Sequence, residues 1–146
     1  IITPYFLPDA RFLSALGLAA MRGVAVDIVV PEKGDHRLLD WAMAAHIPPL
    51  LRAGVRFWRA ALPFEHSKLM AVDDSWSLIG SANWDMRSLR LNFEITLEVC
   101  CPVFGRLVGE AIAAKQDHPI ALKQLDSRPL WQRLRDNAAR LLLPYL

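Results

Sequence analysis

Two different periodicities stand back to back at the start of this chain, and they limit its fold more than anything else in it. After Pro8-Asp9, the apolar residues Phe12, Leu13, Leu16, Ala19 and Ala20 return to one side of a helix that Gly23 closes. Residues 24–30, Val-Ala-Val-Asp-Ile-Val-Val, then form a β-branched run stopped by Pro31. Ile1-Ile2-Thr3 has the character of a strand already under way. Strand, helix and strand in immediate succession bury their apolar faces as a β-α-β unit, which predicts a parallel sheet covered by helices.

The alternation continues. Residues 35–45 are helical in pattern, Pro48-Pro49 can start a further turn, and Gly54 ends it before a strand at 55–58. Strands are expected at 66–72 and 77–79, joined by Asp73-Asp74-Ser75, and a third at 92–99, so the sheet is mixed. Helices follow at 102–116 and 128–143. The expected class is α/β, with residues 1–126 as one catalytic domain and 127–146 as a terminal amphipathic helix.

With 146 residues, 53% hydrophobic and 22% charged, the chain suffices for one globular core. Its longest charge-free stretches, such as Trp41 to Leu51, fall far short of the roughly 20 apolar residues a spanning helix needs. The missing initiator Met leads us to expect a fragment, with any membrane anchor upstream. A net charge of +2 is too small for a nucleic-acid stripe, although from Pro102 onward seven Lys or Arg face four acids. Adjacent Cys100 and Cys101 do not readily bridge each other and suggest a reduced, cytosol-facing compartment.

The chemistry is concentrated between residues 66 and 94. His66-Ser67-Lys68, Asp73 and Gly80-Ser81-Ala82-Asn83 form one spaced pattern. His66 and Lys68, two apart on a strand, project to one face and can converge on an anion. Asp73 has the opposite parity and falls at the strand end, where structural hydrogen bonds or an ion pair are expected rather than chemistry. The small residues at 80–83, between a strand and a short helix at 84–89, let backbone N–H groups approach a phosphate, and Ser81 and Asn83 add side-chain donors. Asn92, Glu94 and Thr96 share the polar face of the next strand. Taken singly, each residue has an ordinary reading: a core histidine, a solvated lysine, a strand-to-helix turn, an exposed glutamate.

The whole pattern resembles the His-Lys-Asp signature of the phospholipase D superfamily. The run from Gly80 to Glu94, the opening Thr3-Pro4-Tyr5-Phe6-Leu7-Pro8-Asp9 and the ending from Arg128-Pro129-Leu130-Trp131 to Leu146 resemble the C-terminal half of bacterial cardiolipin synthases, with Trp84 standing where leucine is common. Asp85, Arg87 and Ser88 set it apart from the small endonuclease branch.

The resemblance implies a phospholipase D-like mixed sheet flanked by helices on both faces, one half of a pseudo-twofold pair. It also implies a phosphatidyl group passing from phosphatidylglycerol through a phosphohistidine to a second phospholipid, with no metal and no other cofactor. By the same resemblance His66 is the general acid and base, with the nucleophile role open; Lys68, Ser81 and Asn83 hold the phosphate; Asp73 completes the motif; and Glu94 hydrogen-bonds His66. His36, His46 and His118 lack a lysine two residues on, so a second motif must come from an absent N-terminal half or a second copy.

The implied partners are phospholipid and a membrane surface, with no nucleic acid, at the cytoplasmic side of the inner membrane. Two alternatives stay open: a homodimeric phosphodiesterase or nuclease of the same superfamily, and an inactive membrane-associated scaffold. In the last helix Trp131, Leu134, Ala138, Leu141 and Leu142 fall on one stripe with Arg133 and Arg140 off it, a pattern that suits either docking on the core or lying on anionic lipid.

Overall fold

The computed structural model describes residues 1–142. In chain order the elements are β1 (Phe6–Leu7), α1 (Ala10–Met21), β2 (Asp27–Pro31), α2 (Arg37–Arg52), β3 (Arg56–Ala60), β4 (Leu69–Val72), β5 (Trp76–Gly80), β6 (Trp84–Asp85), α3 (Met86–Arg90), β7 (Thr96–Cys100), α4 (Pro102–Ala113), β8 (His118–Pro119), α5 (Leu122–Asp126) and α6 (Leu130–Leu142). The expected β-α-β unit is present, with α1 capped by Asp9, whose carboxylate accepts from Phe12 N at 2.9 Å. β2 and β3 pair in parallel, while β4-β5-β7 is an antiparallel meander.

Ile2 joins these two groups into one mixed sheet. It bridges Val29 on one side and Leu69 on the other, with Ile2 N donating to Leu69 O at 2.9 Å and Leu69 N returning to Ile2 O at 3.0 Å. Side chains alternate between the two faces. Ile1, Ile28, Val30 and Phe57 enter a cluster with Met43, Ile47 and Leu50 of α2. Ile2, Val29 and Ala60 meet Val108 and Ile112 of α4 on the opposite face. Helices thus cover both sides of a mixed sheet, as the α/β expectation has it.

Five elements, α2, β4, β7, β8 and α5, differ from the sequence reading or add to it. α2 runs unbroken through Pro48 and Pro49, although each proline forfeits a bond to the carbonyl four residues back; buried Ile47 and Leu50 hold the helix on the core across that gap. Residues 66–68 and 92–95 stay outside the strands, which begin at Leu69 and Thr96. The short strand β8 and helix α5 lie where the sequence reading assigned no element; Ile120 N is drawn to Phe57 O at 2.8 Å and Ile120 and Leu125 are buried.

α6 begins at Leu130, and the expected end at Leu143 lies outside the described residues. It packs on α2, and its Ala139 joins the same apolar cluster as Ile28 and Val30.

Candidate active site

His66 and Lys68 sit on the extended lead-in to β4, whose backbone is already held by the sheet: Gly80 N donates to Lys68 O at 3.3 Å. The two side chains converge. Lys68 Nζ lies 3.0 Å from His66 Nδ1, 3.3 Å from Nε2 and 2.7 Å from the His66 carbonyl oxygen. Burial pulls the Lys68 ammonium below the ordinary lysine value, opposed by the Glu94 and Asp85 carboxylates. An anion entering beside His66 would therefore meet a partly desolvated cation, whose attraction water screens less.

The preceding loop is pinned from α4's end. Glu65 pairs with Lys115 at 2.8 Å and accepts from Ser67 N at 3.0 Å, and these bonds hold its carboxyl down at about 2.

Gly80 is where β5 and β7 come closest. A Cβ there would stand 2.3 Å from Ile95 O and 2.9 Å from Thr96 Cα, so only glycine lets the two backbones meet. That approach sets Ser81 against the segment leading into β7. Ser81 Oγ donates to Glu94 and accepts from Ile95 N at 3.0 Å. The implied bond from Glu94 to His66 is replaced: Glu94 Oε2 takes the Ser81 hydroxyl and Oε1 accepts from Asn92 Nδ2 at 3.3 Å. The physical reason is that residues 92–95 leave the ladder, so strand parity no longer aims Glu94 at the histidine. Its carboxylate, held below its usual range first by Ser81, still acts on Lys68 through its charge.

Asp73 stands apart. It occupies the tip of the β4–β5 hairpin in the left-handed region (φ 49°) beside Asp74 (φ 51°), in a tight turn closed by Ser75 N to Val72 O at 3.1 Å. At about 3.3 Å per residue it is roughly 16 Å along the chain from Lys68. The expected hydrogen bonds or ion pair are not made among the described residues, since a two-aspartate turn needs side chains that tolerate positive φ rather than partners.

Asn83 lies at the wall between two cavities, and its Oδ1 is buried with no donor against it. One space of about 260 Å³ adjoins Tyr5, His36, Asn83 and Asp85. A separate, wider groove of about 530 Å³, which Asn83 does not line, runs past His66, Lys68 and Ser81 over Leu69, Ile79, Ile95 and Leu97. The His66–Lys68 pair thus opens on a predominantly apolar floor.

Sequence reasoning missed Tyr5, Asp35 and His36 at this site. Tyr5 Oη donates to Asp35, whose carboxyl is held low first by that bond and further by the charges of His36 and His66; burial, before the carboxylates around it, pushes the Tyr5 hydroxyl up. These residues follow the C-terminal end of β2 and precede β1, where open α/β sheets gather ligands, and that positional rule was the available signal.

The fold matches those of solved structures, one of them a phospholipase D family member. The Nuc structure from Salmonella typhimurium aligns with TM-score 0.66 at 22% identity, covering 82% of this chain and 77% of that one. Phosphatidylserine synthase of Haemophilus influenzae aligns with TM-score 0.71 at 20% identity over 100% of this chain and 41% of that one. The chain shares the fold of both structures.

Residues 1–115 match the family described as cardiolipin synthase, PLD-like domain, and the chain belongs to that family. It is 41% identical to cardiolipin synthase A of Citrobacter koseri over 99% of its length and 37% identical to the major cardiolipin synthase ClsA of Bacillus subtilis over 100%. It spans 30% and 31% of the length of these two relatives.

Proposed function

We propose that this chain supplies one of two motifs in a phosphatidyltransferase that makes cardiolipin from phosphatidylglycerol. The observation that carries the reading is the His66–Lys68 pair at 3.0 Å, opening on a groove floored by Leu69, Ile79, Ile95 and Leu97. A cation beside an imidazole suits a phosphodiester, and an apolar floor suits the acyl-glycerol attached to it.

In this mechanism the second motif's histidine attacks phosphorus and forms a P–N bond as the P–O bond to glycerol breaks. His66 gives its proton to the departing glycerol oxygen. It then takes a proton from the hydroxyl of a second phosphatidylglycerol, which attacks the phosphohistidine and yields cardiolipin, one glycerol being released per product. Lys68 neutralises the equatorial oxygens, and Glu94, which takes the Ser81 hydroxyl, supports the Lys68 charge.

The second motif approaches across exposed Leu91, Phe93, Ile95 and Leu97, an apolar patch beside the site that another lobe or a second copy would cover. The test is conversion of phosphatidylglycerol to cardiolipin by the assembled two-motif enzyme in excess EDTA. Undiminished synthesis is expected, and activity that returns only with added divalent ion would overturn the metal-free mechanism.

A further inference from the structure

Helix α6 docks by the wrong face for an ordinary terminal helix. Its buried residues are Asp136, only 1% exposed, and the small Ala139. Its large apolar residues point outward instead: Trp131 and Leu134 are each 61% exposed, Leu141 is 71%, and Leu130, Ala138 and Leu142 lie with them. A helix that merely completed the core would turn that stripe inward.

The charges follow the same division. The only acid of α6 is spent in the interior, where Asp136 accepts from Arg128 at 2.8 Å and from Arg135 at 2.7 and 3.0 Å. Arg135 also stacks on the rings of Trp41 and Trp131, 4.3 and 5.5 Å from their centroids, which stiffens one border of the stripe. Off the stripe, Arg133 and Arg140 are exposed and have no carboxylate partner among the described residues.

We infer that α6 is an interfacial anchor, seated on an anionic lipid surface with Trp131, Leu134 and Leu141 in the headgroup–acyl boundary and Arg133 and Arg140 against lipid phosphates. The unpaired cations beside an apolar row select negatively charged lipid over a neutral protein surface. A second catalytic lobe is needed elsewhere, at residues 66–68 and 91–97, whereas α6 packs on α2. The inference is separate from the catalytic reading, because vesicle binding needs no turnover.

The experiment is co-sedimentation of the 146-residue chain with vesicles of phosphatidylglycerol and phosphatidylcholine, beside vesicles of phosphatidylcholine alone. Binding to the anionic vesicles only, weakened by salt, is expected. Each surface arginine is worth on the order of 1 kcal/mol, so R133Q/R140Q should weaken binding roughly 30-fold. R133K/R140K should retain it, and L134S/L141S should abolish it with an unchanged melting temperature. Equal binding by R133Q/R140Q, no binding by the unaltered chain at low salt, or a dimer in sedimentation equilibrium that L134S/L141S dissolves would each overturn the assignment.

Discussion

Replacing Asp136 by asparagine removes a charge that two elements share. The carboxylate is 1% exposed and receives three hydrogen bonds, one from Arg128 and two from Arg135. Charge-assisted bonds contribute about 1.5–3 kcal/mol each, but asparagine keeps one accepting oxygen and no longer carries the desolvation cost of a carboxylate. The side chains of Arg128 and Arg135 are 24% and 32% exposed, so they regain some hydration once released. The net loss is therefore about 3 kcal/mol, at the lower end of the range for breaking a buried pair. For a chain of this size that is a fall in melting temperature of roughly 6–12 °C. Thermal melting followed by far-UV circular dichroism measures it. A fall of less than about 2 °C would show that the buried carboxylate does not brace α6 through Arg128 and Arg135.

Other consequences follow from single residues. Asp73→Asn should leave stability within about 0.5 kcal/mol and turnover within about threefold, whereas Asp73→Val should cost about 1–2 kcal/mol in urea melts, because asparagine accepts the left-handed turn and a β-branched residue does not. Glu65, lowered from 4.5 to about 2 chiefly by Lys115, contributes stability that is fully present above pH 4.5 and lost as pH falls through about 2. Glu65→Gln should thus destabilise the protein by about 1 kcal/mol at pH 7, with the difference from the unaltered chain shrinking toward pH 2 in pH-dependent melts; a constant difference would contradict it. If His66 is the acid, His66→Ala should lose phosphatidylglycerol turnover yet still release a burst of p-nitrophenol from phosphatidyl-p-nitrophenol, whose leaving group needs no proton; absence of the burst would make His66 the nucleophile.

How far the sequence was legible depends on how local each signal was. The β-α-β start and the Asp9 cap rest on neighbouring residues and are present as expected. Pro48-Pro49 carries a strong local signal to interrupt the helix, and tertiary burial of Ile47 and Leu50 overrides it. The convergence of His66 and Lys68 follows from spacing two apart, and it survives although the strand begins only at Leu69. For Glu94 the same parity argument fails, because residues 92–94 precede β7 and the carboxylate is taken by Ser81. Tyr5 and Asp35 meet across thirty residues through the order of parallel strands, which no local pattern encodes. The outward stripe of α6 was open in the sequence because Asp136 reads as a solvated residue until its two arginines are seen around it.

In the proposed mechanism His66 and Lys68 act together on a phosphodiester of phosphatidylglycerol. The most direct measurement is mass-spectrometric quantitation of cardiolipin and free glycerol formed from phosphatidylglycerol vesicles by the assembled two-motif enzyme, beside its His66→Ala and Lys68→Ala variants at matched melting temperature. One glycerol per cardiolipin is expected for the unaltered enzyme, and a fall of at least about a thousandfold for each variant. Cardiolipin formation within about tenfold of the unaltered enzyme in either folded variant would contradict it.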